Sequence, residues 1–69
     1  MYKNIIDSRL IFNIGEYGII RVKEESRFDN GTLLGTSIWY DVCLDHGNGD
    51  IVYSSQQLEE AKQWAKENM

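Results

Sequence analysis

Residues 9–24 read Arg9-Leu10-Ile11-Phe12-Asn13-Ile14-Gly15-Glu16-Tyr17-Gly18-Ile19-Ile20-Arg21-Val22-Lys23-Glu24, and this run sets the architecture. Leu10, Phe12 and Ile14 alternate with period two, as a strand with one buried face does. A second apolar run begins at Tyr17, and only Gly15-Glu16 separates the two. A two-residue loop with glycine first suits a type II′ hairpin turn, whose first central residue takes a positive φ. That turn fixes the register: Ile14 faces Tyr17, Phe12 faces Ile19 and Leu10 faces Arg21.

Beyond it, Asp29-Asn30-Gly31-Thr32 is a second turn signal. Asn-Gly tolerates the positive φ of a type I′ turn. It closes a long hairpin that pairs 17–28 with 32–45, placing Ile19 opposite Val42 and Arg21 opposite Tyr40. Glu24–Gly35 is polar with two glycines, so a loose tip is expected. The third strand is strongest over Ser37–Asp45, His46-Gly47-Asn48-Gly49 turns the chain, and Asp50–Tyr53 returns as a fourth strand.

The period then changes. Leu58, Ala61, Trp64 and Ala65 fall on one helical stripe. Ser54 with Gln57 three residues on reads as a capping box. Glu59 and Glu60 early and Lys62 and Lys66 late suit the helix dipole. The expectation is an α+β domain spanning 1–69, a four-stranded antiparallel β-meander with one C-terminal α-helix packed on one face (ββββα). Its parts are the meander at 9–53 and the helix at 54–68. Residues 1–8, with Ile5 and Ile6, either begin the first strand or form an N-terminal arm.

Directly opposed residues share a face of a sheet. Carrying the three registers through puts Leu10, Phe12, Ile14, Tyr17, Ile19, Tyr40, Val42, Leu44, Ile51 and Tyr53 together, the natural seat for the helix. The other face receives Arg9, Ile11, Asn13, Ile20, Val22, Trp39, Asp41, Cys43, Asp45 and Val52. One helix cannot cover both faces. Trp39, Val22, Ile20 and Ile11 are thus expected to form an exposed apolar patch rimmed by Asp41 and Asp45. Such a patch suits protein recognition, with tryptophan as a favoured anchor.

The chain has 69 residues, one Cys, one His, no Pro and a formal net charge of −4. A domain this small buries only about 60% of its unfolded surface and is marginal alone. One Cys excludes an intramolecular disulfide, and one Cys with one His excludes a Cys/His zinc site. The start of the chain lacks the apolar core of a signal peptide, so a reducing cytoplasm is expected, with no membrane association. The acidic balance argues against nucleic acid, whose binders carry a basic surplus.

Catalytic chemistry finds no constellation here. Cys43 lacks a nearby His or helix N-terminus to activate it. Asp45-His46-Gly47-Asn48-Gly49-Asp50 puts glycine where a calcium loop needs oxygen ligands. Asp41 and Asp45 lie about 13 Å apart along a strand, too far for a paired acid and base. No catalytic residue, cofactor or metal is expected.

The order Trp39-Tyr40-Asp41-Val42, Gly49-Asp50-Ile51, then Ser55-Gln56-Gln57-Leu58-Glu59-Glu60-Ala61-Lys62-Gln63-Trp64-Ala65 resembles the sheet-then-helix build of arm-binding domains in phage integrases. The resemblance covers residues 39–65. It implies a three-stranded sheet in the DNA major groove, braced by the helix, and Arg9, Arg21, Lys23 and Arg27 would then meet the backbone. The departure is in charge, since Asp41 and Asp45 stand where that family's sheet is basic. Size and acidity also look like small phage-encoded inhibitors of host proteins, some of which mimic DNA, although −4 is modest for a mimic. The functional expectation is a small acidic non-catalytic module that binds a protein through the exposed sheet face. The alternatives are an integrase-arm-like DNA-binding domain and a structural homodimer.

Overall fold

A computed structural model describes residues 1–69. Four strands follow in order: β1 (Tyr2–Ile14), β2 (Tyr17–Arg27), β3 (Leu33–Cys43) and β4 (Ile51–Ser55), then a helix, α1 (Leu58–Glu67). Sheet order is sequential and every pairing antiparallel, so the ββββα meander is as expected. Ile14 opposes Tyr17 across the two-residue loop, and Gly15 takes φ +58° while Glu16 stays at negative φ, as a type II′ turn requires. Ile19 opposes Val42 and Arg21 opposes Tyr40, the register the second turn predicted.

Residues 1–8 take the strand alternative: β1 starts at Tyr2 and pairs with β2 as far as Arg27. Several details differ. The loose tip is also strand, closing in a tight loop where Gly31 N–H donates to Phe28 O (2.9 Å) and Gly31 alone takes positive φ (+88°). That geometry replaces the type I′ turn, which needs two positive φ values. The helix starts four residues later than expected. Ser54 and Ser55 stay in β4, and Ser54 Oγ donates to Asp41 Oδ1 (2.6 Å) instead of capping a helix. Gln57 is the N-cap, and its N–H donates to Ser55 Oγ (3.0 Å).

Irregularities in the ladders matter most. The β1–β2 register slips at Ile6 and Ile11, β2–β3 at Leu34 and β3–β4 at Val52. A bulge adds one residue, so side chains beyond it change faces. Past Ile11, Leu10 therefore opposes Ile20 and Arg9 opposes Arg21. Leu10 leaves the helix face for the other one, and Ile11 turns inward.

Tyr17, Ile19 and Val42 from the sheet and Ala61 and Ala65 from α1 form the core, flanked by Ile11, Ile14, Tyr40, Leu44, Tyr53, Leu58 and Trp64. Alanine on the helix permits close approach, and Trp64 fills the margin. Its ring stacks on Tyr53 (5.1 Å, 8°) and meets Tyr17 edge-on (5.4 Å, 68°). Tyr17 Oη donates to the Asn68 carbonyl (2.9 Å) and pins the end of α1 to the first hairpin. Phe12 and Ile51, expected in the core, are exposed. Phe12 lies at the margin under Lys62 Nζ (4.5 Å), and Ile51 sits opposite Cys43 beyond the β4 bulge.

Candidate functional site

The molecule measures 45 × 20 × 16 Å. Ten residues of helix span about 15 Å, so α1 cannot cover the sheet end to end. Core members from β1 begin at Ile11, those from β2 end at Ile19, and those from β3 begin at Tyr40. β4 pairs with β3 only over Tyr40–Cys43. Beyond these limits lies a three-stranded ribbon: residues 2–8, 22–27 and 33–39, closed by the 28–32 loop. Neither the helix nor β4 reaches it.

The sequence places six partner-binding residues on the face away from the helix, and the structure treats them unequally. Ile20, Val22 and Trp39 do lie together there, with Val22 opposite Trp39 and Ile20 opposite Asp41. Ile20 and Trp39 are half-buried, and Val22 is only 5% exposed. Asp41 is not a rim charge: it is 8% exposed and accepts the Ser54 hydroxyl. Ile11 is not on this face at all, because the bulge turns it toward the core. Asp45 is exposed, but it belongs to the turn after β3, where it takes φ +54°.

That turn covers part of this face. Residues 45–47 form a 3-10 turn that folds back over the sheet, with His46 N–H donating to Glu16 O (2.8 Å). It passes so close that a Cβ on Gly18 would lie 2.5 Å from Gly47 N. Its far side meets Leu10 and Ile20, whose Cδ1 atoms lie 3.2 and 3.4 Å from where a Gly47 Cβ would be. The outer face is thus covered at the helix end by the chain's own β3–β4 connection.

The apolar surface that stays open is on the ribbon. Ile5, Ile6, Phe28, Leu33, Leu34 and Ile38 are all exposed there. The register puts Ile5 on the outer face with Glu24 and Ile38 on the helix side with Lys23. Both faces of the ribbon thus carry uncovered apolar side chains, which in a monomer mark candidate interfaces. Sequence reasoning missed them because it assumed a helix long enough to cover one whole face. The signal was present in the doublets Ile5-Ile6 and Leu33-Leu34, since adjacent apolar residues cannot both face one side of a strand.

Charges on the ribbon pair among themselves. Arg27 Nε reaches Glu25 Oε1 (2.7 Å) and Arg27 Nη1 donates to Gly31 O (2.6 Å). The Arg27 hydrogen bond holds the Glu25 carboxyl below its ordinary range, and Glu25 in turn raises Arg27. Arg9 Nη2 lies 2.9 Å and Arg21 Nη1 3.9 Å from Asp7 Oδ2. The N-terminal ammonium pairs with Asp29. Of the four cations proposed to meet DNA, Arg9, Arg21 and Arg27 therefore have acidic partners. Arg21 and Lys23 oppose Tyr40 and Ile38, on the helix side of the sheet.

Cys43 is buried under the turn, and burial followed by the nearby Asp41 pushes its thiol up. A nucleophilic cysteine needs the opposite shift. Comparison with family models, curated proteins and solved structures finds no match to this chain.

Proposed function

We propose that this chain is a small non-catalytic interaction module that binds a protein through the ribbon beyond its helix. One observation carries the reading: Ile5, Ile6, Phe28, Leu33, Leu34 and Ile38 are all exposed on a ribbon that no other element of the chain covers on either face. Three strands without a packed face are weak alone. A partner that covers them supplies the missing burial at roughly 25 cal/mol per Å² of apolar surface, before association entropy is charged. Trp39, at the end of the open part of β3, lies on the same outer face as Ile5.

Small size and a net charge of −4 suit an inhibitor of the phage type, which covers a surface of a host protein in a reducing cytoplasm. DNA binding has less support, since three of the four basic residues it needs are already paired. The test is capture from the native host's lysate with wild type, an Ile5→Ser/Ile38→Ser variant and a Lys66→Ser control on the exposed helix surface. The reading predicts a specific band lost only with the ribbon variant. A band retained by that variant contradicts it. Salt-sensitive duplex binding would favour the DNA alternative.

A further inference from the structure

The ribbon has two open edges, and they differ. β1 is an outer edge along its whole length, but it carries Lys3, Asp7 and Arg9 and two bulges. Charges and bulges on an edge are ordinary protection against strand addition. β3 becomes an edge only where β4 stops. From Leu33 to Trp39 it reads Leu33-Leu34-Gly35-Thr36-Ser37-Ile38-Trp39, without a charge or a proline, and its one bulge is near the end, at Leu34.

The backbone there has unused hydrogen-bonding groups. Leu44 N–H donates toward β4, to Asp50 O (3.0 Å). Alternation along the strand turns the N–H and C=O of Val42, Tyr40, Ile38 and Thr36 to that same side. Tyr40 and Val42 oppose Ser55 and Tyr53 of β4. Ile38 and Thr36 have no strand beside them.

The open segment runs from 33 to 39, and its midpoint is Thr36. We infer that β3 pairs antiparallel with β3 of a second copy across a two-fold axis at Thr36, making one continuous sheet. The inference rests on the reading of the ribbon as an interaction surface, and it names a second copy of the chain as the partner. An isologous contact must be self-complementary, and this edge is. Thr36 opposes Thr36 and Leu34, at the bulge, comes opposite Ile38, hydroxyl and apolar pairs that sheets favour. Leu33, beyond the bulge, shares the face of Arg27, and its side chain does not meet Trp39. The outward groups of Thr36 and Ile38 gain partners. The ends fit as well: with this axis β3 of each copy begins at Leu33, which comes level with Trp39 of the other, one residue short of Tyr40, where β4 ends at Ser55. The acids stay apart: Glu25 lies opposite Thr36 on β2, so the two Glu25 residues are three strand spacings apart. That is about 14 Å, beyond the Debye length of about 8 Å at physiological salt.

The test is solution mass by sedimentation equilibrium over micromolar concentrations, on wild type, Thr36→Lys, Thr36→Glu and an equimolar mixture of the two variants. Thr36 is exposed, so both variants keep the wild-type far-ultraviolet circular dichroism. Wild type is expected near twice its 8.0 kDa chain mass. Each variant alone places like charges face to face, raises the dimer Kd by about tenfold or more and sediments as a monomer. Their mixture restores the dimer. A wild type that stays monomeric, variants that still dimerise, or a mixture that stays monomeric overturns the inference. A monomeric wild type that captures a protein through Ile5 and Ile38 overturns self-pairing and leaves the interaction surface standing. A monomer that captures nothing overturns both.

Discussion

The two ends of this sheet are built from similar strands and have opposite fates. At the helix end, Ile19 and Val42 are fully buried between α1 and the strands, and the 45–47 turn closes the other face over Gly18 and Cys43. At the far end, Ile38 and Leu34 occupy the same strand as Val42 and stay exposed. Strand propensity does not distinguish them; reach does. A ten-residue helix and a five-residue β4 complete one end of an 11-residue hairpin pair and leave the other unfinished.

The contrast is testable first at its strongest point. Ile19→Ala is expected to cost about 2–5 kcal/mol, the range for a buried large-to-small change. Ile38→Ala, measured at high dilution, costs about 0.5 kcal/mol or less, as exposed positions do. Equal losses in urea denaturation would erase the distinction between the ends. Gly18→Ala comes next. Its Cβ would sit 2.5 Å from Gly47 N and from the His46 carbonyl carbon, both backbone atoms that cannot swing aside. A loss of about 1–3 kcal/mol is expected from this overpacking, and an unchanged Tm would show that the turn is not seated on the sheet.

The meander, its order and the 17–45 hairpin register were readable because Gly15-Glu16 and Asn30-Gly31 mark the two turns. At the second, the loop is one residue longer than expected and the Leu34 bulge restores the register. The faces were readable only as far as the first bulge. Nothing in Leu10-Ile11-Phe12 marks which residue is extra, yet that choice sends Ile11 to the core and Leu10 outward. The helix start was misplaced because Ser54 looks like a cap, while its hydroxyl serves the strand by bonding Asp41. The candidate site was legible for Ile20, Val22 and Trp39 as a cluster, and not for its burial. The covering of Ile20 depends on a turn folding back over Gly18, a tertiary event with no local periodicity.

Smaller effects separate the ends by chemistry. Cys43 has its thiol raised by burial and by Asp41. The protonated thiol is favoured in the folded state, so its contribution is full below the unfolded-state thiol pKa and is lost as pH rises through the folded one. Maleimide labelling at neutral pH should therefore follow unfolding, and rapid labelling of the native chain would show that the turn opens freely. On the ribbon, Glu25 is lowered by its hydrogen bond to Arg27. Its contribution is present above the ordinary glutamate range and lost as pH falls through the folded value. Glu25→Gln should slightly flatten the acid limb of the stability profile, and an identical limb would mean that the pair contributes nothing.

The most direct test is amide hydrogen exchange followed residue by residue as the protein is diluted. Ile19 N–H, in the completed end, should stay protected at every concentration. Thr36 and Ile38 N–H, pointing out of the open edge, should be protected when the chain is concentrated and exchange freely when it is dilute. Protection of Thr36 and Ile38 that does not change with dilution would contradict the account. So would free exchange of both at all concentrations.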